Sequence, residues 1–218
     1  MDTLPLIESA EFVSAIKPLL AKNDACAIIH SLKDRYTPTQ IASLLTSADV
    51  DARKVAALCL SLVGRKCALQ PLQLALADPD PVVHQMAEHA MWSIWFRAGS
   101  EEANCRLARG AMALEKRDFA CACKHFGHAI ELDPAFAEPF NQRAIVHYLR
   151  EEFEDSILDC RKAIERMPCH FGAWAGKGHC HANLSNISEA IRCYSQALKI
   201  NPRLDGIRQA IQQLRCSS

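Results

Sequence analysis

Apolar residues recur at helical spacing along most of the chain. The segment from Asp205 to Leu214 is the simplest case, because its apolar positions lie three or four residues apart and alternate with Arg and Gln. Longer apolar runs bounded by polar residues predict further helices upstream. These are expected at residues 8–20, 24–33, 38–46, 52–63, 66–76 and 81–96. Thr37 and Asp51 are suited to cap two of them, and Pro81 to begin the last.

The C-terminal half carries an internal repeat. Three prolines, Pro134, Pro168 and Pro202, lie 34 residues apart. Four further series keep the same interval, namely Ala129, Ala163 and Ala197; Ile130, Ile164 and Leu198; Gly110, Ala144 and Gly178; and Ala122, Ser156 and Ala190. Small residues repeated in this way allow helix backbones to approach closely, so each repeat is expected to be a helix pair that packs against its neighbours.

This pattern resembles the tetratricopeptide repeat, whose period is 34 residues. The third unit matches it best, at Trp174, Gly178, Ala190, Tyr194, Ala197 and Pro202. The resemblance implies three units, at residues 103–136, 137–170 and 171–204, followed by a capping helix at 205–215. The chain departs from the family at the turns inside the units, where Arg117, Glu151 and Ser185 replace the usual glycine, and at Cys160, which replaces the second aromatic residue.

The N-terminal half contains a weaker repeat. Residues 49–52 are echoed by residues 78–81, and each group opens a long apolar helix. This arrangement resembles HEAT repeats of the short bacterial type. We therefore expect residues 1–99 to form a HEAT-like region in which residues 1–36 are degenerate or capping helices, with residues 100–218 as the second region. The whole chain is then an all-α fold, an α-solenoid in which stacked helix pairs form a right-handed superhelix.

Charge and cysteine content limit the classes of function. The 25 Lys and Arg residues balance the 25 Asp and Glu residues, and no basic stripe is present. Nucleic-acid binding, which HEAT-like DNA glycosylases would imply, is therefore not expected. Eleven cysteines without a CxxC pair, and Asp2 where a secretory leader carries positive charge, predict reduced thiols and a cytoplasmic protein. Apolar runs such as Val55 to Val63 are too short to cross a membrane.

The resemblance places the first helix of each tetratricopeptide unit along a concave groove. The predicted lining is Asn104, Leu107, Glu138, Asn141, Ile145, Tyr148, His179 and Asn183. Apolar contacts and a few hydrogen bonds in such a groove would receive a peptide or helix of a partner protein. The carboxylate clamp that binds acidic chaperone tails in this family is absent, because its positions are Leu107, Ala111, Gln142, Gly172 and Gly176.

Two groups of side chains have the chemistry of metal ligands. Cys121, His125 and His128 share one helix face within the segment 121–128, and thiol and imidazole groups suit zinc. A packing role is favoured because the family's packing positions fall in the same segment and no second cluster supplies further ligands. His179, Cys180 and His181 point in different directions on a helix. No metal or other cofactor is therefore expected.

Three other patterns have a structural and a functional interpretation. Trp92, Trp95 and Phe96 form an aromatic face that is expected to pack against the first tetratricopeptide helix, the alternative being an exposed partner-binding patch. Arg109, Arg143 and Lys177 recur every 34 residues, and we expect them to pair with acids such as Asp159 rather than bind an acidic ligand. The aspartate pairs Asp49/Asp51 and Asp78/Asp80 are expected to cap helices rather than bind a metal.

The sequence contains no convincing nucleophile–base pair, phosphate loop or metal signature. It therefore favours a non-catalytic scaffold or adaptor with a protein or peptide partner, and it leaves the oligomeric state open. The alternative is an accessory or lyase-like enzyme, by analogy with HEAT-like bilin lyases. That alternative rests on the fold alone.

Overall fold

The structure, a computed structural model, describes residues 7–22 and 24–216. Residues 1–6, on which the leader prediction rests, lie outside this range. The described residues form α-helices and short 3-10 turns and contain no strand, which confirms the all-α solenoid class. The chain divides into two compact units, of which the first ends at Ile94 and the second begins at Trp95. No described helix is long and apolar enough to cross a membrane.

The first unit is built from short helices around an Ala- and Leu-rich core. They are α1 (Ser9–Ala21), α2 (Ala25–Arg35), α3 (Pro38–Ser43), α4 (Val50–Val63), α5 (Leu69–Ala75) and α6 (Pro81–Phe96), the last of which continues into the second unit. The helix predicted at 38–46 becomes a 3-10 turn after Ser43, and the one predicted at 66–76 begins as a 3-10 turn, Lys66–Ala68. The HEAT-like resemblance of this unit stays a prediction.

Polar side chains fix the helix starts of the first unit. Thr37 and Gln40 form a reciprocal capping box at α3. The cap of α4 is Asp49 rather than Asp51, so this helix begins at Val50, earlier than the capping pattern predicted. Asp78 accepts two hydrogen bonds from the Arg53 guanidinium, at 2.8 and 3.2 Å. These aspartates therefore serve as caps and ion-pair partners.

The second unit consists of three helix pairs and a final helix. The pairs are α7 (Glu101–Glu115) with α8 (Phe119–Leu132), α9 (Ala137–Leu149) with α10 (Phe153–Arg166), and α11 (Phe171–Asn183) with α12 (Ile187–Ile200); α13 (Asp205–Cys216) follows. Ile207 and Ile211 of α13 pack against Ala190 and Tyr194 of α12. The amphipathic C-terminal segment therefore covers the apolar face of the last pair.

Small residues in the first helix of a pair face an aromatic ring in the second. A Cβ added to Gly110 would lie 2.4 Å from the ring of Phe126, and one added to Gly178 would lie 2.4 Å from the ring of Tyr194. The second pair replaces both partners at the same spacing, with Ala144 and Cys160. Alanine in place of glycine is thus matched by cysteine in place of the aromatic residue. Close packing requires such compensation, because the two side chains share a fixed volume.

The turns inside the three pairs share one backbone conformation. Arg117, Glu151 and Ser185 have φ angles of 59°, 62° and 59°. This left-handed conformation is the one that makes glycine usual at these positions. In the first turn it is held by backbone hydrogen bonds, including Asp118 N–H to the Ala113 carbonyl at 2.9 Å. These turns therefore have the conformation that glycine usually provides, although none of the three residues is glycine.

Candidate functional site

The structure divides the predicted groove residues into buried and accessible groups. The first helices α7, α9 and α11 are neighbours. Of the eight residues predicted to line the groove, Leu107, Glu138 and Asn141 are buried, Asn104, Tyr148 and His179 are partly buried, and Ile145 and Asn183 are exposed. The partly buried and exposed residues on α9 and α11 are the part of the prediction that retains access to a ligand.

Leu107 and Asn104 have structural roles. Leu107 is 1% exposed and belongs to the core of the first pair, with Ala103, Phe126 and Phe136. Its side chain is therefore not offered to a ligand. The amide of Asn104 accepts a hydrogen bond from Gly99 N–H at 3.2 Å and donates to the Gly99 carbonyl at 3.0 Å. It holds the chain that enters α7.

Glu138 is the centre of a buried polar network at the start of α9. Its side chain is fully buried. One carboxylate oxygen accepts hydrogen bonds from Asn141 Nδ2 at 3.1 Å and Gln142 Nε2 at 2.7 Å. The other oxygen lies 2.8 Å from His170 Nε2. A buried carboxylate needs such partners because desolvation without them costs several kcal/mol. Glu138 and Asn141 are thus internal supports rather than ligand contacts.

His170 completes this network and was not among the predicted site residues. It caps α11, where its Nδ1 accepts a hydrogen bond from Ala173 N–H at 3.1 Å. Because Nδ1 is an acceptor, the ring proton lies on Nε2, which donates to Glu138. The sequence signal was its position, one residue before a predicted helix that lacks a Ser, Thr, Asp or Asn cap.

Trp95 packs on the same histidine. Its ring stacks on His170 with centroids 4.1 Å apart and an interplanar angle of 14°, and it meets Phe171 edge-on at 5.1 Å. Trp95 is 1% exposed. Phe96 packs against the core of the first pair, as expected, whereas Trp95 reaches the start of the third pair. The Trp95 ring therefore covers one face of the His170 imidazole.

The accessible part of the predicted groove is formed by aromatic residues of α9 and α11, which rest on Tyr194 of α12. Tyr194 OH lies 2.8 Å from His179 Nδ1, and Asn183 Nδ2 donates to Tyr148 OH at 3.3 Å. The Tyr148 and His179 rings are 6.3 Å apart. Ile145, 39% exposed, lies one turn before Tyr148. We call Ile145, Tyr148, His179 and Asn183 the open surface.

Burial favours the uncharged forms of His179 and of Tyr194, which contacts it. It lowers the pKa of His179 below its ordinary value and raises the pKa of Tyr194 to about 12. The protonated phenol of Tyr194 is then suited to donate to His179 Nδ1, which leaves the imidazole proton on Nε2. Tyr148 and His179 can therefore offer aromatic faces to a ligand, and His179 can add a neutral hydrogen-bonding group.

One member of the cation series, Arg143, is paired with a buried aspartate. Arg143 forms two hydrogen bonds to Asp159, at 2.6 and 2.8 Å, which confirms the expected ion pair. Asp159 raises the pKa of the Arg143 guanidinium. Arg109 is exposed, and Lys177 lies 6.0 Å from the centre of the Trp174 ring. The three cations do not form a common anion site.

The segment 121–128 is largely a packing element. Ala122 and Phe126 are buried in the core of the first pair, with Cys121 and Cys123 against it. Among the described residues, none of this segment belongs to a group of three metal-ligating side chains with atoms within 4.8 Å of one another. Burial lowers the pKa of His125 and raises that of Cys123.

Comparison with protein families and sequences supports the repeat assignment. Residues 172–204 match the tetratricopeptide repeat family. A TPR repeat-containing protein of Rhizobium etli is 27% identical over 108 residues, which are 50% of this chain and 53% of that protein. Hsp70-Hsp90 organizing protein 1 of Glycine max is 42% identical over 57 residues, which are 26% of this chain and 10% of that protein. The chain thus matches about half, or less, of these relatives.

Comparison with solved structures supports the same fold. The first TPR of Spaghetti (RPAP3), bound to the HSP90 peptide SRMEEVD, superposes with a TM-score of 0.53 at 17% identity. The match covers 54% of this chain and 94% of that one. Together with the 34-residue period, these similarities support the tetratricopeptide repeat family for the C-terminal half of the chain.

Proposed function

We propose that this protein is a non-catalytic adaptor that binds a peptide or helix of a partner protein on the open surface. The observation that best supports this proposal is the aromatic pair of Tyr148 and His179, with the exposed Ile145 beside it. Tyr194 fixes the His179 ring by a hydrogen bond. Aromatic and aliphatic groups with a few fixed hydrogen-bonding atoms are the usual anchors of peptide recognition. Tetratricopeptide relatives such as the Hsp70-Hsp90 organizing proteins support a protein-interaction role.

The preferred ligand is apolar rather than acidic. Some structural neighbours hold chaperone peptides that end in EEVD. In this chain the clamp positions offer no cation, since Leu107 is buried in the core and Gly172 and Gly176 have no side chain. Gln142 donates its amide to Glu138, so it is not available to a ligand carboxylate. The side chain that holds Gln142 is thus an acidic residue, whereas an acidic tail would need a cation.

The cysteine content supports a reducing compartment. Eleven cysteines without a CxxC pair suit the cytoplasm, and in the structure they are free thiols. We therefore place the adaptor there.

A peptide-display selection on the full chain tests this function. Random peptides enriched on the wild-type protein should contain apolar or aromatic residues, and they should lose at least about tenfold in affinity on Ile145→Glu, because a buried carboxylate would replace an apolar contact. The peptide SRMEEVD should bind no more tightly than a scrambled control. Isothermal calorimetry measures both affinities.

The matched control is Leu158→Glu on α10. Leu158 is 42% exposed and Ile145 is 39% exposed, so the two substitutions add the same charge at similarly exposed apolar sites. Peptides bound equally by wild type and Leu158→Glu but lost with Ile145→Glu support the open surface. Peptides insensitive to Ile145→Glu, or tight binding of SRMEEVD, contradict the proposal. Circular dichroism checks that both variants fold.

A further inference from the structure

The third helix pair brings together three side chains that ligate metals. His181 lies on α11, and Glu189 and Cys193 lie one turn apart on α12. One imidazole nitrogen, one carboxylate oxygen and the thiol sulfur all lie within 4.8 Å of one another. The residues come from two helices that pack together, so the cluster is a property of the fold rather than of a local motif.

The His181 imidazole supplies an independent observation. Its Nδ1 atom is buried and has no hydrogen-bond partner. An imidazole nitrogen buried in this way costs free energy unless a donor, a proton or a metal occupies its lone pair. Unpartnered buried polar atoms are uncommon in folded proteins, and the imidazole that carries this one lies beside a thiol and a carboxylate.

A second triplet, His147, Glu152 and Asp155, shows the contrast among the described residues. His147 Nδ1 already lies 2.7 Å from Glu152, and its Nε2 lies 3.8 Å from Asp159. Arg150 pairs with Glu152 at 2.8 Å. The histidine and the glutamate of this triplet are therefore already engaged in an ion-pair network, whereas His181 Nδ1 is not.

We propose that His181, Glu189 and Cys193 form a binding site for a thiophilic divalent cation, with zinc as the best match. Zinc prefers imidazole, thiolate and carboxylate ligands in a tetrahedron, and water would take the fourth position. Ligand atoms in such a site lie about 3.3–3.7 Å apart, given bond lengths of about 2.0–2.3 Å. Glu189, whose side chain is 47% exposed, can make most of the required movement.

Charges around the site bear on its affinity. Glu189 pairs with Arg192, and Lys177 lies close enough to lower the pKa of His181. Both cations oppose a metal ion. The Arg192–Glu189 pair is half-exposed, and such pairs are weak, so giving it up costs little. Binding releases the thiol proton of Cys193 to solvent, and the resulting thiolate and the carboxylate together neutralise the divalent ion.

The pKa shifts of the two ligands have opposite effects on metal binding. Burial, followed by the nearby Lys177, lowers the pKa of His181, so its lone pair is free at neutral pH. Burial raises the pKa of Cys193, which keeps the apo thiol protonated and unreactive. The metal supplies the charge that stabilises the thiolate.

Cobalt(II) is the probe, because a cobalt–thiolate bond gives a near-ultraviolet charge-transfer absorption that oxygen and nitrogen ligands alone do not give. The full chain, reduced and stripped of metal, should bind one equivalent with this absorption, and zinc should displace the cobalt. Outer-shell changes at metal sites cost about 10–100-fold in affinity, so losing a ligand should cost at least tenfold. We expect that loss for His181→Ala and for Glu189→Gln.

Controls separate this site from the other thiols. His147→Ala and Cys216→Ser should bind cobalt like wild type, since neither belongs to the cluster. Cys193→Ser should abolish the absorption, and the partly exposed His181 and Glu189 keep the test valid if that buried substitution impairs folding. Wild-type affinity in His181→Ala and Glu189→Gln, or a signal that disappears with Cys216→Ser, overturns the proposal.

Discussion

The substitution Gly178→Ala tests the packing rule that builds the helix pairs. The added Cβ would lie 2.4 Å from Cδ1 and 2.5 Å from Cε1 of Tyr194, whereas carbon atoms in contact are normally about 3.5–4.0 Å apart. The ring must therefore move by about 1 Å. It is 2% exposed, and its hydroxyl is fixed 2.8 Å from His179 Nδ1, so it has no free space in which to move.

Two effects of opposite sign determine how much Gly178→Ala changes the free energy of unfolding. Replacing Gly by Ala inside a helix stabilises by about 1 kcal/mol. Overpacking a buried contact costs about 1–3 kcal/mol, and the upper value applies because a ring and a hydrogen bond are both displaced. We expect a net loss of about 2 kcal/mol in the free energy of unfolding. With a urea dependence of about 2 kcal/mol per molar, the midpoint falls by about 1 M.

Gly176→Ala, on the same helix, is the matched control. The nearest atom to its added Cβ is Cys160 Sγ at 3.4 Å, an ordinary contact. Only the helix-propensity gain remains, so this variant should be as stable as wild type or up to about 1 kcal/mol more stable. Urea unfolding followed by circular dichroism compares the two. If Gly178→Ala unfolds at or above the wild-type midpoint, the close approach of α11 to Tyr194 does not limit the side chain at position 178.

Two further substitutions test the buried network and the turns. Glu138→Ala should lower the free energy of unfolding by about 3 kcal/mol or more, because the donors of His170, Asn141 and Gln142 lose the carboxylate that accepts from them. Equal urea midpoints for the variant and the wild type would contradict a stabilising role of this network. Ser185→Gly should stabilise the fold by about 1 kcal/mol, because it removes the strain of a φ of 59°. Ser185→Ala should not stabilise it. A melting temperature unchanged by the glycine would show that this turn is not strained.

The architecture of the second unit could be predicted because packing rules recur at a fixed interval. A series such as Gly110, Ala144 and Gly178 marks where the two helices of a pair approach each other. This close approach depends only on residues within that pair. The left-handed turns were harder to foresee. Arg117 carries a side chain that disfavours positive φ, yet backbone hydrogen bonds and the packing of the two helices impose it.

The sequence predicted which helices carry the candidate groove residues, but not which of these residues are accessible. The repeat pattern places Glu138 and Asn141 on the first helix of the second unit. Their burial depends on His170, 32 residues later, which closes the polar network. The ring that stacks on His170 belongs to Trp95, which lies 75 positions earlier in the sequence. Contacts of this separation leave no periodic trace, so pattern analysis alone could not find them.

Helix geometry explains why residues 179–181 do not form one ligand cluster and yet contribute to both proposed sites. Successive residues on a helix point about 100° apart, so His179 and His181 lie about 200° apart around α11. His179 contacts Tyr194, whereas His181 lies beside Glu189 and Cys193. Because these environments are separate, His181→Ala removes a metal ligand without removing any residue of the open surface. Peptide binding retained in that variant, with cobalt binding lost, would support two independent sites, and loss of both would show that the two histidines act through one shared structure.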